Sequence, residues 1–300
     1  MRFSHVLNVI AQDAGPLAAR LRSFGQTAWL AEGRAFDIAF DGDPKGVLQA
    51  ARAAASDLAA DINVVERHGR RKKLLVSDME STIVSCECLD ELAEIAGIRS
   101  QIAAITERAM QGEIAFEGAL RERVALLKGL PVAALEQVWR EKVKLIGGAR
   151  ELVATMKANG AQTILVSGGF TYFTSRVAAA VGFDAHQSNW LDIDGDVLSG
   201  KVDEPILGRE AKLLALQHAI IKLDIEAADA IAIGDGANDL AMIQHAGMGI
   251  AFHAKPVVAA CAGAAIKHND LRAVLYLQGY CEGEIVSPER TPPKADVARL

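Results

Sequence analysis

Residues 74–84 read LLVSDMESTIV, a short apolar run that is followed at once by two acids, Asp78 and Glu80. The apolar residues predict a buried strand. Ser and Asp often close a strand in a turn, so the two acids alone have a structural explanation. Two carboxylates at a strand end also suit catalysis, one as a nucleophile and the other as a proton carrier. The rest of the chain decides between these interpretations.

The bulk composition restricts the class of protein. With 300 residues, 51% of them hydrophobic and 23% charged, the chain can form one large or two modest globular domains. A net charge of −6 argues against a partner bound through nucleic-acid phosphates. No apolar run is long enough to cross a bilayer and no signal-peptide pattern opens the chain, so we expect a cytoplasmic protein. The four cysteines lack metal-site spacing, and we expect reduced thiols.

Upstream of the opening stretch, residues 1–67 alternate strand-like and helix-like patterns in the order βαββαβ. This order predicts a small ferredoxin-like α+β domain. The segment DAGPLAARL, residues 13–21, resembles the opening of an ACT domain, a regulatory module that binds amino acids. The resemblance implies an amino-acid ligand there, while a purely structural role or pairing into a homodimer stays open. Residues 68–73 are strongly basic, and we expect a solvated linker.

Downstream, residues 74–282 predict a second domain. One strand is followed by a helical insertion at about 85–146, and strands and helices then alternate. Such alternation predicts an α/β fold with a parallel, Rossmann-like sheet covered by helices on both faces. Asp194-Gly195 indicates a β-hairpin within this region. Residues 283–300 are proline-rich and poor in apolar residues, so we expect a flexible tail.

Polar residues follow three of the predicted strands. Asp78 follows LLVS, the SGG of 167–169 follows TILV, and the DGAND of 235–239 follows AIAIG. Ligands of open parallel sheets bind outside the carboxyl ends of the strands, so we expect the three clusters to converge on one crevice.

The residue types in these clusters indicate phosphoryl chemistry. Asp78, Asp235 and the backbone around Glu80 offer hard oxygen ligands, which suit Mg²⁺ better than zinc. Ser167 and the following glycine N–H groups can form an anion cradle. Lys212 could neutralise a phosphoryl oxygen. Together they predict phosphoryl transfer. The chain has no dinucleotide fingerprint and no P-loop motif, which argues against a dehydrogenase or a P-loop nucleotidase.

Four segments resemble the motifs of the haloacid dehalogenase superfamily: DMEST, SGGF, the lysine of REAKLLAL, and GDGANDLAM. In addition, residues 105–131, ITERAMQGEIAFEGALRERVALLKGLP, are similar to the helical cap of the phosphoserine phosphatases in that superfamily. The resemblance extends from about Leu74 to Tyr280. It implies a Mg²⁺-dependent phosphoric monoester hydrolase that converts O-phospho-L-serine to L-serine and phosphate through an aspartyl-phosphate, a step of serine biosynthesis.

The resemblance also implies a role for each motif residue. Asp78 would be the nucleophile, and Glu80 would occupy the position of the family's second aspartate, which is the general acid and base and binds the metal through its backbone carbonyl. Asp235 would complete the metal ligands, with Asp239 supporting them. Three residues would hold the phosphoryl group, namely Ser167, Gly168 and Lys212, and Asn238 would help to orient it.

For the substrate's amino-acid part, the resemblance implies that Glu87 faces the α-ammonium and Arg123 the α-carboxylate. Met110 and Phe116 would close the cap. Without the motif context, Met110 and Phe116 are typical of a helical core, and Glu87 and Arg123 of solvated helix charges.

The sequence leaves two alternatives to the hydrolase hypothesis open. Glu80 stands where the family usually has aspartate, and some relatives with this departure are phosphotransferases. A phosphotransferase would pass the phosphoryl group to another hydroxyl amino acid. A non-catalytic amino-acid sensor, with an impaired phosphatase half, is the third hypothesis.

Overall fold

The computed structural model describes residues 3–288. The N-terminal part contains β1 (His5–Ala11), α1 (Gly15–Arg20), β2 (Thr27–Ala31), β3 (Ala35–Phe40), α2 (Pro44–Ala54) and β4 (Ala60–Glu66). These strands form an antiparallel sheet in the order β2-β3-β1-β4. The predicted ferredoxin-like arrangement is confirmed. An amino-acid ligand and a homodimer remain predictions.

Both faces of this small sheet are covered. In β1, Leu7 and Val9 pack with the apolar residues of α1 and α2, while Val6 and Ile10 belong to the main core of the chain. Alternate side chains of a strand point to opposite faces, which explains the division. The face opposite the helices is therefore buried against the larger sheet's domain.

The first strand of the larger sheet is β5 (Leu74–Ser77). It is followed by α3 (Cys88–Ile95), α4 (Arg99–Met110), α5 (Phe116–Ala125) and α6 (Ala133–Glu141), which form the predicted helical insertion. The segments that precede and follow the insertion lie next to each other and are joined by backbone hydrogen bonds. The Ser85 N–H donates to the Lys144 carbonyl at 3.0 Å, and the Ile146 N–H donates to the Ile83 carbonyl at 2.8 Å. These paired segments join the cap to the sheet.

The rest of the chain builds the helix-covered sheet. Its elements are α7 (Ala149–Ala158), β6 (Gln162–Phe170), α8 (Thr171–Val181), β7 (Ala185–Asn189), β8 (Leu191–Asp194), β9 (Val197–Val202), α9 (Arg209–Leu223), β10 (Ala230–Gly234), α10 (Leu240–His245), β11 (Met248–Phe252), α11 (Pro256–Cys261), β12 (Ala264–Ile266) and α12 (Arg272–Leu277). The strand order is β12-β11-β10-β5-β6-β7, with every pair parallel.

The predicted α/β fold with a Rossmann-like parallel sheet and a helical cap is therefore confirmed. Strands β8 and β9 form the hairpin expected at Asp194-Gly195. Asp194 pairs with Val197, and Gly195 adopts a left-handed conformation with φ of 62°. Glycine tolerates this conformation without the steric cost that a Cβ imposes.

Polar side chains of β4 fasten the two sheets together. Asn63 donates from Nδ2 to the Ala265 carbonyl at 3.0 Å and accepts from the Ala265 N–H at 2.9 Å. The Asp61 carboxylate accepts from the backbone N–H groups of 267–269. Both side chains are buried. Because these buried groups satisfy one another, the N-terminal sheet is fixed beside β12, an edge strand of the larger sheet.

The predicted basic linker, residues 68–73, makes contacts on both sides. Arg70 pairs with the buried Asp37 of β3, and Lys72 donates to the Ala228 carbonyl at 2.7 Å. Of the predicted tail, the Val286 N–H donates to Oγ1 of Thr155 at 2.9 Å. The remainder of that tail, residues 289–300, lies outside the described residues.

All four cysteines are free thiols, as expected. Within residues 3–288, no helix has the length and apolar character that crossing a membrane would require.

Candidate active site

The three polar clusters meet at one edge of the larger sheet. Strand β5 lies between β10 and β6, and the Asp78 N–H continues the ladder by donating to the Ile233 carbonyl at 2.9 Å. Carboxylate oxygens of Asp78, Asp235 and Asp239 lie within 4.8 Å of one another. The expected convergence of sequence-distant groups follows from the parallel order, which places the carboxyl ends of neighbouring strands side by side.

Lys212 of α9 sits at the centre of these acids. Its Nζ lies 2.6 Å from Oδ1 of Asp78 and 2.6 Å from Oδ1 of Asp239. Burial alone would lower the pKa of Lys212, but the charges of the two aspartates outweigh it and raise that pKa. The lysine is therefore charged at neutral pH, although it is only 3% exposed.

The carboxylates carry more negative charge than one lysine can neutralise. Burial raises the pKa of Asp78, with a further contribution from Asp239 that Lys212 opposes. Burial, together with the charge of Asp239, also raises the pKa of Asp235 to about 6. A cation among these oxygens would relieve the repulsion, and an all-carboxylate donor set is typical of a hard metal ion. This acidic cluster could hold a metal ion.

The Glu80 carboxylate contacts the start of α3 and the SGG segment. Its Oε1 accepts from the Cys88 N–H at 2.7 Å, and its Oε2 borders Gly169, where a Cβ would lie 3.0 Å from it. Burial raises the pKa of Glu80 to about 7, and the nearby charge of Glu87 adds to the shift. A group with this pKa can carry a proton in one step and release it in the next at neutral pH.

The SGG segment lies at the end of β6 beside these acids. Oγ of Ser167 accepts from the Gly169 N–H at 2.9 Å, and Ser167 is 2% exposed. Gly168 leaves little room for a side chain, because a Cβ there would lie 3.1 Å from Cζ of Phe116. Asn238 is half-buried on the DGAND turn. Its Oδ1 crowds Gly236, so that a Cβ on that glycine would lie 2.2 Å away.

The cap supplies the opposite wall. The Phe116 ring, at the start of α5, packs over Gly168. Two turns further along α5, Nε of Arg123 donates to the Ala119 carbonyl at 3.3 Å. Burial lowers the pKa of Arg123, whereas the charges of Asp90, Glu80 and Glu87 oppose that shift. The guanidinium therefore lies within electrostatic range of the crevice.

Glu87 and Met110 are the most exposed of the predicted site residues. Glu87 accepts a hydrogen bond at Oε1 from the Ser81 hydroxyl at 2.8 Å. Ser81 adopts a left-handed backbone with φ of 57°. Met110, at the end of α4, is 65% exposed, so it is not the core residue that its apolar type alone would indicate.

Two contacts of this crevice were missed from the sequence. One is the hydrogen bond from the Cys88 N–H to Glu80, and the other is the hydrogen bond from the buried Asn189 to the SGG segment. Neither Cys88 nor Asn189 belongs to the four motifs. None of the predicted strands ends at Asn189, so no local pattern marked this residue.

A family model described as haloacid dehalogenase-like hydrolase matches residues 75–244. The chain is 45% identical over 204 residues to phosphoserine phosphatase of Haemophilus influenzae, covering 68% of this chain and 65% of the relative. It is 44% identical to phosphoserine phosphatase of Albidiferax ferrireducens, covering 68% and 89%. With a third, from Archaeoglobus fulgidus, the match spans 58% of the relative, so the chain covers less than two thirds of two of these three proteins.

Solved structures match over most of the chain. A probable phosphoserine phosphatase from Vibrio cholerae superposes with a TM-score of 0.77 at 32% identity, covering 94% of this chain and 88% of that one. A haloacid dehalogenase family hydrolase from Salmonella enterica serovar Typhi superposes with a TM-score of 0.82 at 29% identity, covering 91% and 97%. The similarity therefore includes the N-terminal sheet as well as the capped domain.

Proposed function

The chain belongs to the haloacid dehalogenase-like hydrolase family, and on that basis we propose that it hydrolyses O-phospho-L-serine to L-serine and phosphate. The observation that carries the proposal is the buried Lys212, held between Asp78 and Asp239 beside the SGG segment. A charged lysine among acids at this sheet edge suits a site that must accept a phosphoryl dianion and an aspartate nucleophile together.

Asp78 is the nucleophile of the proposed reaction. Its carboxylate attacks phosphorus, the bond from phosphorus to the serine oxygen breaks, and an aspartyl-phosphate forms. Mg²⁺, when bound, would neutralise charge on the phosphoryl oxygens. The carboxylates of Asp78 and Asp235 would hold it, within the cluster that also contains Asp239. By the family resemblance, the Glu80 backbone carbonyl would be a further ligand and Asp239 would support the site.

Glu80 is the proton carrier. In the first half-reaction the protonated side chain donates to the serine oxygen, which would be a poor leaving group as an alkoxide. The ionised side chain then takes a proton from the water that attacks the aspartyl-phosphate. The hydrogen bond from the Cys88 N–H holds the carboxyl group in position for both steps.

The phosphoryl group lies in the cradle of Ser167, Gly168 and Lys212, with Asn238 orienting it from the DGAND turn. Ser167 and Lys212 are both almost fully buried, so their interactions with an anion are weakly screened. This arrangement also leaves room for the transferred group, since neither glycine of the SGG segment carries a side chain.

The serine part of the substrate is zwitterionic and needs one charge of each sign. Glu87 would bind the α-ammonium and Arg123 the α-carboxylate, which a guanidinium can grip with two parallel hydrogen bonds. Phe116 and Met110 would cover the substrate from the cap. The support for this assignment is electrostatic: the charges of Asp90, Glu80 and Glu87 raise the pKa of Arg123 against the effect of burial.

We further propose the division of the chain into an ACT-like domain at 1–67, a linker at 68–73 and a phosphatase domain at 74–282 with its cap at 85–146. The N-terminal sheet would then contact the phosphatase domain through the hydrogen bonds between β4 and the loop after β12. Serine biosynthesis is the pathway that this activity would serve.

Phosphate release from O-phospho-L-serine tests the proposal directly. We expect turnover that depends on Mg²⁺ and is unchanged by an acceptor alcohol such as homoserine. Phosphohomoserine in place of free phosphate would identify a phosphotransferase. Loss of all phosphate release, with O-phospho-L-serine or L-serine still bound, would identify a sensor.

A further inference from the structure

Asn189, the last residue of β7, forms hydrogen bonds to backbone groups through both the nitrogen and the oxygen of its side-chain amide. Nδ2 donates to the Gly168 carbonyl at 2.9 Å and to the Leu207 carbonyl at 3.3 Å, and Oδ1 accepts from the Leu207 N–H at 2.7 Å. The residue is 2% exposed. The amide orientation follows from its partners, because a backbone N–H can only donate and the two carbonyls can only accept.

The Gly168 carbonyl shares its peptide plane with the N–H of Gly169. In a trans peptide these two groups point in opposite directions, so a donor that holds the carbonyl also fixes the direction of the N–H. That N–H donates to Oγ of Ser167 at 2.9 Å. Asn189 therefore orients the peptide that contacts the serine hydroxyl.

Consecutive hydrogen bonds of this kind polarise one another. Two hydrogen bonds are linked here through the peptide between Gly168 and Gly169. Nδ2 of Asn189 donates to the carbonyl of this peptide, and the N–H of the same peptide donates to Oγ of Ser167. Because that oxygen already accepts a hydrogen bond, the Ser167 hydroxyl proton remains available to an acceptor in the crevice. A phosphoryl oxygen is such an acceptor.

The Asn189 amide also binds the segment that leads to Lys212. Leu207 directly precedes Gly208, the residue that caps the start of α9, and α9 carries Lys212. One side chain thus connects the segment that supplies the hydroxyl with the segment that leads to the ammonium group.

We propose that Asn189 is a positioning residue of the phosphate site, which sets the spacing between the SGG segment and the start of the lysine-bearing helix. The inference rests on the proposed function in assigning the phosphoryl group to Ser167 and Lys212. Asn189 itself would not touch the substrate.

Asn189→Asp is the discriminating variant. It keeps the size of the side chain and an acceptor for the Leu207 N–H, but it removes both donors and places negative charge against the Gly168 carbonyl. Calorimetry on the full chain with saturating Mg²⁺ would measure the binding of inorganic phosphate. We expect the dissociation constant to rise by about tenfold, because a displaced Ser167 hydroxyl would lose its hydrogen bond to the charged phosphate. The Mg²⁺ affinity without phosphate should stay within about twofold.

Ser188→Ala is the matched control. Ser188 precedes Asn189 and is also buried, but within residues 3–288 its hydroxyl forms hydrogen bonds only with those of Thr171 and Thr174. We expect this variant to keep the wild-type phosphate affinity even if its thermal midpoint falls. If Asn189→Asp does not fold, Asn189→Ala carries the test, because it removes the donors without adding charge.

The outcomes separate this inference from the proposed function. Equal phosphate affinity in the wild type and the Asn189 variant would overturn the positioning role while leaving the hydrolase intact. A wild type that binds phosphate without hydrolysing O-phospho-L-serine would overturn the function alone, and the affinity ratio would still decide on Asn189. A wild type that binds no phosphate would overturn both.

Discussion

Nζ of Lys212 lies 2.6 Å from Oδ1 of Asp239, a carboxylate with no exposed surface. The same nitrogen also pairs with Asp78, so one buried cation serves two buried anions. Removing the lysine from such a set leaves both anions uncompensated, which is far more costly than losing an exposed ion pair.

Lys212→Met should therefore lower the free energy of unfolding by about 3–5 kcal/mol. Adding Asp239→Asn to that variant should restore part of the loss, because it removes one of the two stranded charges. Chemical denaturation of both variants measures this. Lys222→Met, at the exposed end of the same helix, is the control and should change stability little. No recovery in the double variant would show that the two residues are not coupled.

The backbone at the base of the cap should tolerate no side chain at Gly148. This glycine has φ of 81°, and a Cβ would lie 2.5 Å from the backbone nitrogen of Arg272. Gly160 has a similar φ of 83° with open space around it. Gly160→Ala should cost about 1–2 kcal/mol from the left-handed conformation alone. Gly148→Ala should cost clearly more, and equal losses would show that the backbone of Arg272 gives way.

Glu80 should be matched to its crevice despite departing from the family's usual aspartate. The side chain reaches both the Cys88 N–H and the surface of Gly169, and one methylene less would withdraw it from them. Displacements of about 1 Å at a catalytic group can cost on the order of a hundredfold, so Glu80→Asp should slow turnover of O-phospho-L-serine by about that factor.

Burst kinetics distinguish this from a misfit at Glu80. Two results would indicate that glutamate slows hydrolysis of the aspartyl-phosphate. One is a Glu80→Asp enzyme that turns over faster than the wild type, and the other is a large burst of L-serine from the wild type. That result would favour the phosphotransferase or sensor hypothesis.

Arg123→Ala should raise KM for O-phospho-L-serine far more than for an aryl phosphate that lacks a carboxylate. Its guanidinium is buried enough for the pKa to fall and lies near the charges of Glu80 and Glu87. Loss of uniform substrate binding raises KM and leaves kcat nearly unchanged. Equal losses on the two substrates would exclude Arg123 as the carboxylate ligand. Arg121→Ala, which removes a partner of Glu204 on the same helix, is the control.

Much of this architecture could be predicted from the chain itself. Strand periodicity and the hydrophobic run before Asp78 are sufficient to predict both sheets, because the alternation of apolar and polar residues is a local property of the sequence. The convergence of Asp78, the SGG segment and the DGAND turn could be predicted from the parallel order, which gives no position for Lys212 because that residue lies on a helix. Each of these inferences needs only the spacing of residues along the chain.

Contacts that depend on tertiary packing could not be predicted in this way. The pairing of Arg70 with Asp37 turns part of an expected solvated linker into a buried contact, and no local pattern indicates it. The direction of the Glu80 carboxylate depends on where α3 begins relative to β5. Asn189 binds Gly168 only because β7 lies beside β6 in the folded sheet.

The central claim is that Asp78 attacks phosphorus, and Asp78→Asn tests it most directly. Asparagine keeps the volume but loses the nucleophilic charge. Steady-state phosphate release from O-phospho-L-serine should fall to background in this variant, while circular dichroism shows an intact fold. Near-normal turnover by Asp78→Asn would contradict the covalent mechanism.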